Sequence, residues 1–243
     1  MRFAVVQFGG SNCDRDTHHV LVDVCGVDTD LVWYKDGFAR QYDAVVLPGG
    51  FSYGDYLRAG AIAARTPIMA EVIRYARAGG LVLGICNGAQ IASEAGLVPG
   101  VFTLNAYPKF ISRHVNLRVE NTTSPFTMLY REGEVIRIPI AHAEGRYVAP
   151  PGEIERLNRE KRVAFRFCDE QGNVGPESNP NGSIESITGI LSENRNVLAM
   201  MPHPERASEA VLGSEDGVKI FNSMIAYIEK YGRRSPTRQE NRT

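Results

Sequence analysis

Three apolar runs in the first half of the chain each end abruptly at glycine. Phe3 to Phe8 stops at Gly9-Gly10, Ala44 to Leu47 at Pro48-Gly49-Gly50, and Leu81 to Ile85 at Cys86-Asn87-Gly88. Runs this short and this apolar suit strands buried on both faces, and the glycines turn the chain sharply at their ends. Asp30 to Tyr34 reads as a further strand. Between these runs lie segments of helical length. Asn12 to Cys25 stops at Gly26, Ile68 to Ala78 stops at Gly79-Gly80, and Gly88 to Ala95 follows the last run. Thr66-Pro67 predicts an N-cap with proline at the first helical position. Strands spaced by such helices imply βαβ units and a mostly parallel sheet, hence an α/β fold.

The middle of the chain is patterned differently. Ile111 to Glu120 and Glu134 to Ile140 predict longer strands of mixed polarity, Gly175 to Ser183 a turn-rich loop, and Val197 to Met201 another apolar strand. Val218, Phe221, Ile225 and Ile228 recur at helical spacing within a closing helix over Asp216 to Glu229. With no linker and no internal repeat, one domain is expected over residues 2–231, its middle strands forming a small additional antiparallel sheet. Residues 232–243, rich in Arg, Ser, Pro and Gln, are expected to be a flexible tail.

Charge narrows the function classes. Lys and Arg total 27 against 28 Asp and Glu, a net charge of −1, which argues against a dedicated nucleic-acid binder. An apolar content of 43% excludes disorder for the bulk of the chain. The apolar run near the N-terminus is too short for a signal peptide, and no stretch reaches the ~20 apolar residues of a membrane span. The four cysteines, 13, 25, 86 and 168, are too unevenly spaced for a zinc finger and are expected as free thiols of a cytoplasmic protein. A nucleotide site is unsupported, since the chain has no Walker A sequence and no G-x-G triplet.

The chemistry concentrates in two short sequences. Gly84-Ile85-Cys86-Asn87-Gly88 is a nucleophile elbow with cysteine in place of serine, at a predicted strand-to-helix turn whose helix N-terminus favours thiolate. A cysteine nucleophile needs a base, and the histidines are 18, 19, 114, 142 and 203. His18, His19 and His114 read as surface or structural residues. His142 opens a polar loop and competes for the role. His203 has the better setting: Met201-Pro202-His203-Pro204-Glu205 predicts an extended segment in which alternate side chains share a face. Glu205 can then hold one imidazole nitrogen while the other faces a substrate. As metal ligands this pair lacks partners nearby in sequence, so no metal is expected. The amides of Gly50 and Asn87 are candidates for an oxyanion hole at the same edge of the sheet.

Cys86 with Gln90 four residues on, the Pro48-Gly49-Gly50 strand end and His203-Pro204-Glu205 together resemble the class I, triad-type glutamine amidotransferases. Within that family the closest similarity is to glutaminase subunits of purine biosynthesis. It is carried by Gln7 to Asp14, Gly49 to Asp55, Asn179 to Ser183, Met201 to Arg206 and Gly213 to Gly217, and it spans about residues 2–231. Ala143 departs from the glycine expected in its His-Gly-Glu-Gly motif.

The resemblance implies a flavodoxin-like three-layer sandwich and hydrolysis of glutamine through a thioester on Cys86. His203 would be the base, Glu205 its orienting partner, and Gly50 and Asn87 the oxyanion hole. Gln90 would contact substrate, and Phe110 and Arg113 could border the pocket. It further implies delivery of ammonia to a larger synthetase subunit that binds ATP and Mg, with a small accessory subunit in the complex. No cofactor is expected on this chain. Three alternatives stand beside this reading: a free-standing cysteine hydrolase of a related flavodoxin-like family, a glutaminase subunit of another synthetase, and a binding module without catalysis.

Overall fold

The computed structural model describes residues 1–232, so residues 233–243, nearly all of the expected tail, lie outside the described residues. Strands β1 (Arg2–Gln7) and β3 (Ala44–Leu47) follow the glycine-bounded runs, and β2 (Asp28–Trp33) begins two residues before the expected Asp30 and ends one before Tyr34. Helix α1 (Asp14–His19) runs on through a π-helical turn at Val20–Val24 and ends at Gly26, whose φ of +70° suits glycine. Helix α2 (Pro67–Arg77) buries Ile68, Met69, Val72 and Ala76, each large side chain contributing about 1.5–3 kcal/mol. Thr66 precedes it as expected, but its hydroxyl donates to the Ala63 carbonyl at 2.7 Å instead of capping the helix. A three-residue 3-10 turn, Ala63–Arg65, ends there and competes for the side chain.

Strand β4 (Leu81–Ile85) leads directly into α3 (Asn87–Glu94). The rest of the chain supplies β5 (Val101–Thr103), β6 (Ile111–Val119), β7 (Val135–His142), β8 (Arg146–Val148), α4 (Pro151–Arg159), β9 (Val163–Cys168), β10 (Ile187–Leu191), β11 (Val197–Met200) and α5 (Val218–Tyr231).

Nine strands form one sheet in the order β2-β1-β3-β4-β11-β10-β9-β6-β7. From β2 to β11 every pairing is parallel; from β11 to β7 every pairing is antiparallel. The middle strands thus extend the main sheet instead of building one of their own. A small antiparallel sheet does exist, made by β5 and β8. The crossover from β1 to β2 runs one way along the sheet and that from β3 to β4 the other. Right-handed connections therefore place α1 and α2 on opposite faces, giving three layers. The reversal lies between β1 and β3, the switch point where open α/β sheets bind ligands.

Direction alternates along the antiparallel half, so β9 and β7 run with β11, and the end of β7 lies at the same edge as the ends of β1, β3, β4 and β11. The sheet also curls. The amide of His203, just past β11, donates to Pro139 O of β7 at 2.8 Å, although three strands separate β7 from β11 in the sheet. Among the described residues no helix is long and apolar enough to cross a membrane, and all four cysteines are free thiols.

Candidate active site

Cys86 is the elbow between β4 and α3. Its backbone has φ +49° and ψ −107°, a strained conformation for a residue with a side chain. Its amide is fixed by Met200 O at 2.8 Å, and its carbonyl accepts from the amides of Ala89 and Gln90. The flanking glycines are steric necessities. A Cβ on Gly88 would lie 1.9 Å from Leu47 O, and one on Gly84 would lie 2.6 Å from Gly88 O. The helix is thereby pressed onto the end of β3, and the thiol stands at the head of α3, 3.6 Å from Ala141 O.

His203 follows β11 with its ring only 2% exposed. Its Nδ1 is 2.6 Å from Glu205 Oε1, and its Nε2 is buried with no hydrogen bond of good geometry. His203 itself is extended, as expected, but Pro204–Arg206 form a 3-10 turn. The turn, rather than strand alternation, brings the carboxylate under the ring. Burial opposes a charge on His203. The carboxylate of Glu205 and the thiols of Cys86 and Cys13 outweigh it and hold the imidazole well above its ordinary pKa.

Cys13 had no recognisable role in the sequence. It lies against His203, and a Cβ on Gly49 would come within 2.8 Å of the His203 ring and 3.1 Å of the Cys13 sulfur. Arg206 Nη2 donates to that sulfur at 3.0 Å. Burial pushes the Cys13 thiol up, against the pull of the neighbouring His203 imidazole. One donor atom each from Cys13, His203 and Glu205 lie within 4.8 Å of one another, so the chain does offer the third metal-type ligand that sequence spacing did not. The guanidinium already on the sulfur supplies positive charge there and disfavours a cation.

Gly50, at φ +148°, bridges to Ser11, and a Cβ there would lie 2.8 Å from Gly10 O, so the turn after β1 closes onto the turn after β3. The amide of Asn87 belongs to the first turn of α3, where N–H groups lack intrahelical partners. The side chain of Asn87 does more than the sequence suggested. Its Oδ1 accepts from Ser52 N at 3.1 Å, and its Nδ2 approaches Gln90 Oε1 at 3.0 Å and Asp55 Oδ1 at 3.4 Å. Gln90 in turn donates to Glu144 O at 2.6 Å. Gln90 thus lines the cavity while both ends of its amide brace the wall.

His142 closes β7 on the face that also buries Ile136, Ile138 and Ile140. Its Nδ1 bonds Asn105 Oδ1 at 3.0 Å, and burial, then the charge of His203, lowers its pKa to about 4. Gly145 lies against its ring, where a Cβ would sit 2.3 Å from ring atoms. Ala143 has no positive φ, so its methyl costs no backbone strain.

These groups enclose a cavity of about 250 Å³ lined by Cys13, Gly50, Asp55, Cys86, Gln90, Phe110, Glu144, His203 and Arg206 among others. It is small beside the ~300–1,000 Å³ of drug-sized sites and fits an amino acid. Phe110 borders it, whereas Arg113 lines a separate cavity with His114 and Cys168. A thiol at a strained elbow, a buried imidazole and a carboxylate beneath it form the arrangement for acyl transfer through a thioester.

Comparison with known proteins agrees with this geometry. Residues 1–228 match the CobB/CobQ-like glutamine amidotransferase domain. The chain is 58% identical over 228 residues to the phosphoribosylformylglycinamidine synthase subunit PurQ of Methanosarcina acetivorans, covering 94% of this chain and 98% of that protein. It is 50% identical over 226 residues to the corresponding subunit of Aquifex aeolicus, covering 93% of this chain and all of the relative. A chain in the solved structure of PurLQS from Thermotoga maritima superposes with a TM-score of 0.82 at 44% identity, covering 93% of this chain and 98% of the other. Elbow, imidazole and fold point the same way as these similarities: the chain belongs to the CobB/CobQ-like glutamine amidotransferase family.

Proposed function

We propose that this chain is the glutaminase subunit of phosphoribosylformylglycinamidine synthase. It hydrolyses glutamine to glutamate and ammonia and delivers the ammonia to a synthetase subunit. That subunit converts formylglycinamide ribonucleotide and ATP to formylglycinamidine ribonucleotide in de novo purine biosynthesis. The observation that carries this reading is the convergence of Cys86, His203 and Glu205 on one amino-acid-sized cavity, in a chain 58% identical to a PurQ subunit along nearly its whole length.

Cys86 attacks the side-chain amide carbon of glutamine. The oxyanion of the tetrahedral intermediate is held by the Gly50 and Asn87 amides. His203 takes the proton of the Cys86 thiol as it attacks and passes it to the departing nitrogen, ammonia leaves, and a γ-glutamyl thioester remains. His203 then takes a proton from water, which attacks the thioester and releases glutamate. Glu205 keeps Nδ1 as the donor toward itself, so that Nε2 faces the reaction. Gln90 borders the bound substrate and fixes the wall beside it.

Ammonia is a nucleophile only while unprotonated, so it passes directly to the partner. ATP and Mg belong to the large synthetase subunit, a small accessory subunit completes the complex, and the assembly works in the cytoplasm. This chain carries no metal or cofactor of its own.

The test is a complex reconstituted with the synthetase and accessory subunits. Cys86→Ala is expected to lower glutamine-dependent product formation by about 10⁴-fold or more, while ammonium salts at alkaline pH restore it. Failure of added ammonia to rescue an assembled Cys86→Ala complex overturns the division of labour. Diazo-oxo-norleucine is expected to label Cys86 and to be blocked by excess glutamine. Label chiefly on Cys13, which shares the cavity, would reassign the nucleophile.

A further inference from the structure

The cavity wall holds two carboxylates that the reaction does not use. Asp55 lies in the loop after β3 and Glu144 in the loop after β7, and both line the cavity with Cys86 and Gln90. Neither makes an ion pair among the described residues. Their contacts are weak: Asn87 Nδ2 to Asp55 Oδ1 at 3.4 Å, and Ala59 N to Glu144 Oε2 at 3.4 Å. Burial, and then the charge of Glu144, raises Asp55 to about 6. Two carboxylates held together in a partly desolvated wall, with no cation between them, repel each other until a cation arrives. The only guanidinium lining the cavity among the described residues, Arg206, is engaged with Cys13 and Asp16.

A second observation fixes the other end of the ligand. His203 Nε2 is buried without a hydrogen-bond partner in the same cavity, beside Cys86. On the proposed mechanism the reacting amide lies between this nitrogen and the Cys86 thiol. In glutamine the α-nitrogen lies four bonds beyond the amide carbon, about one 5.4 Å helical turn away. Gln90 stands one turn along α3 from Cys86, and its side chain is the link between Asn87, which touches Asp55, and the Glu144 backbone.

Building on the proposed glutaminase activity, we infer that Asp55 and Glu144 together form the receptor for the α-ammonium group of glutamine and set the site's requirement for an α-amino acid amide. Bound ammonium relieves the repulsion between the carboxylates, so the two are prepared for that charge before substrate enters. The strap that carries Asp55 holds it firmly. Tyr53, Asp55 and Leu57 all have positive φ, and Ser52 is tied to Asn87. A glutamine analogue with hydrogen in place of the ammonium group would leave both carboxylates unpaired.

The test compares glutamine with glutaramate, which keeps the side-chain amide and the carboxylate but lacks the ammonium. In the reconstituted wild-type complex, kcat/KM for glutamine is expected to exceed that for glutaramate by about 100-fold or more. Asp55→Asn and Glu144→Gln are each expected to shrink that ratio by about tenfold or more, mainly through KM for glutamine. Glutaramate turnover in the same variants serves as the internal control for folding and assembly. A ratio that stays at the wild-type value while both rates fall together makes these residues structural and overturns the inference. Should Glu144→Gln fail to assemble, Asp55→Asn alone decides it. A wild-type complex that hydrolyses neither compound overturns the proposed function instead.

Discussion

The two halves of the sheet contribute different things to one cavity. The parallel half, β1 to β4 with β11, supplies Cys86, Gly50 and His203, and it holds the first two by close approach of backbone to backbone. The antiparallel half, through β7 and the loop after it, supplies Ala141 to Glu144, and it holds them by side-chain contacts such as His142 with Asn105. The difference teaches where the chain is brittle. A backbone contact has no rotamer with which to give way, whereas a side chain can shift by tenths of an ångström. Reaction geometry rests on the brittle half, and the substrate wall on the yielding one.

The largest expected effect tests the brittle half directly. Gly88→Ala places a methyl 1.9 Å from Leu47 O with no side chain to move aside. A loss of about 4–5 kcal/mol or more is expected, read as a fall in Tm of roughly 10 °C or more. A shift of only a few degrees would show that α3 can lift from β3 and would break the comparison.

Next comes acid sensitivity in the yielding half. His142 is lowered from 6.5 to about 4 in the folded chain. Between those values the unfolded chain binds a proton that the folded chain does not. This stability is therefore complete above about pH 6.5 and is lost as pH falls toward 4. The amount is about 3 kcal/mol at 1.36 kcal/mol per pKa unit. Between pH 7 and pH 4.5 the wild type should lose about 3 kcal/mol more stability to urea than His142→Gln does, a difference that cancels Asp55, whose raised pKa acts the other way.

Gly145→Ala is the side-chain counterpart of Gly88→Ala. Its methyl would meet the His142 ring at 2.3 Å, but the ring can tilt, so a loss of about 1–3 kcal/mol is expected. Equal losses at Gly88 and Gly145 would erase the distinction between the halves. The smallest effect is that of Ala143→Gly. Without positive φ at this position, the glycine only frees the unfolded chain, which costs under about 1 kcal/mol. Glutamine turnover by the complex should change by less than about twofold.

The same division decides how much could be read from the sequence. The glycine-bounded runs Ala44 to Leu47 and Leu81 to Ile85 gave β3 and β4 residue for residue, because local pattern and final burial agree there. The elbow was legible for the same reason, whereas the His-Pro-Glu sequence pointed to the pair but not to the 3-10 turn that brings the Glu205 carboxylate under the His203 ring. Strand β9 was not legible: Arg166 interrupts its apolar run, although that residue is buried against Glu185 and Asn158. Strand β10 carries Gly189, which reads as a break; it is instead the space into which the Phe165 ring packs. Cys13 beside His203 and Glu144 beside Asp55 join positions far apart in the chain, and no local signal marks either pair. Ala143 departs from the glycine of the motif, and the backbone there has no positive φ that would need one.

The curl that sets Pro139 O on the amide of His203 bears on the order in which the enzyme comes into being. The ribosome delivers Cys86 first, and 117 residues (203 − 86) still separate it from its base. At translation rates of about 5–20 residues per second, the proposed nucleophile waits on the order of ten seconds for His203. Until β7 and β11 have both joined the sheet, the thiol has neither imidazole nor wall. On the proposed mechanism a nascent chain therefore releases ammonia only once the long-range pairings have closed.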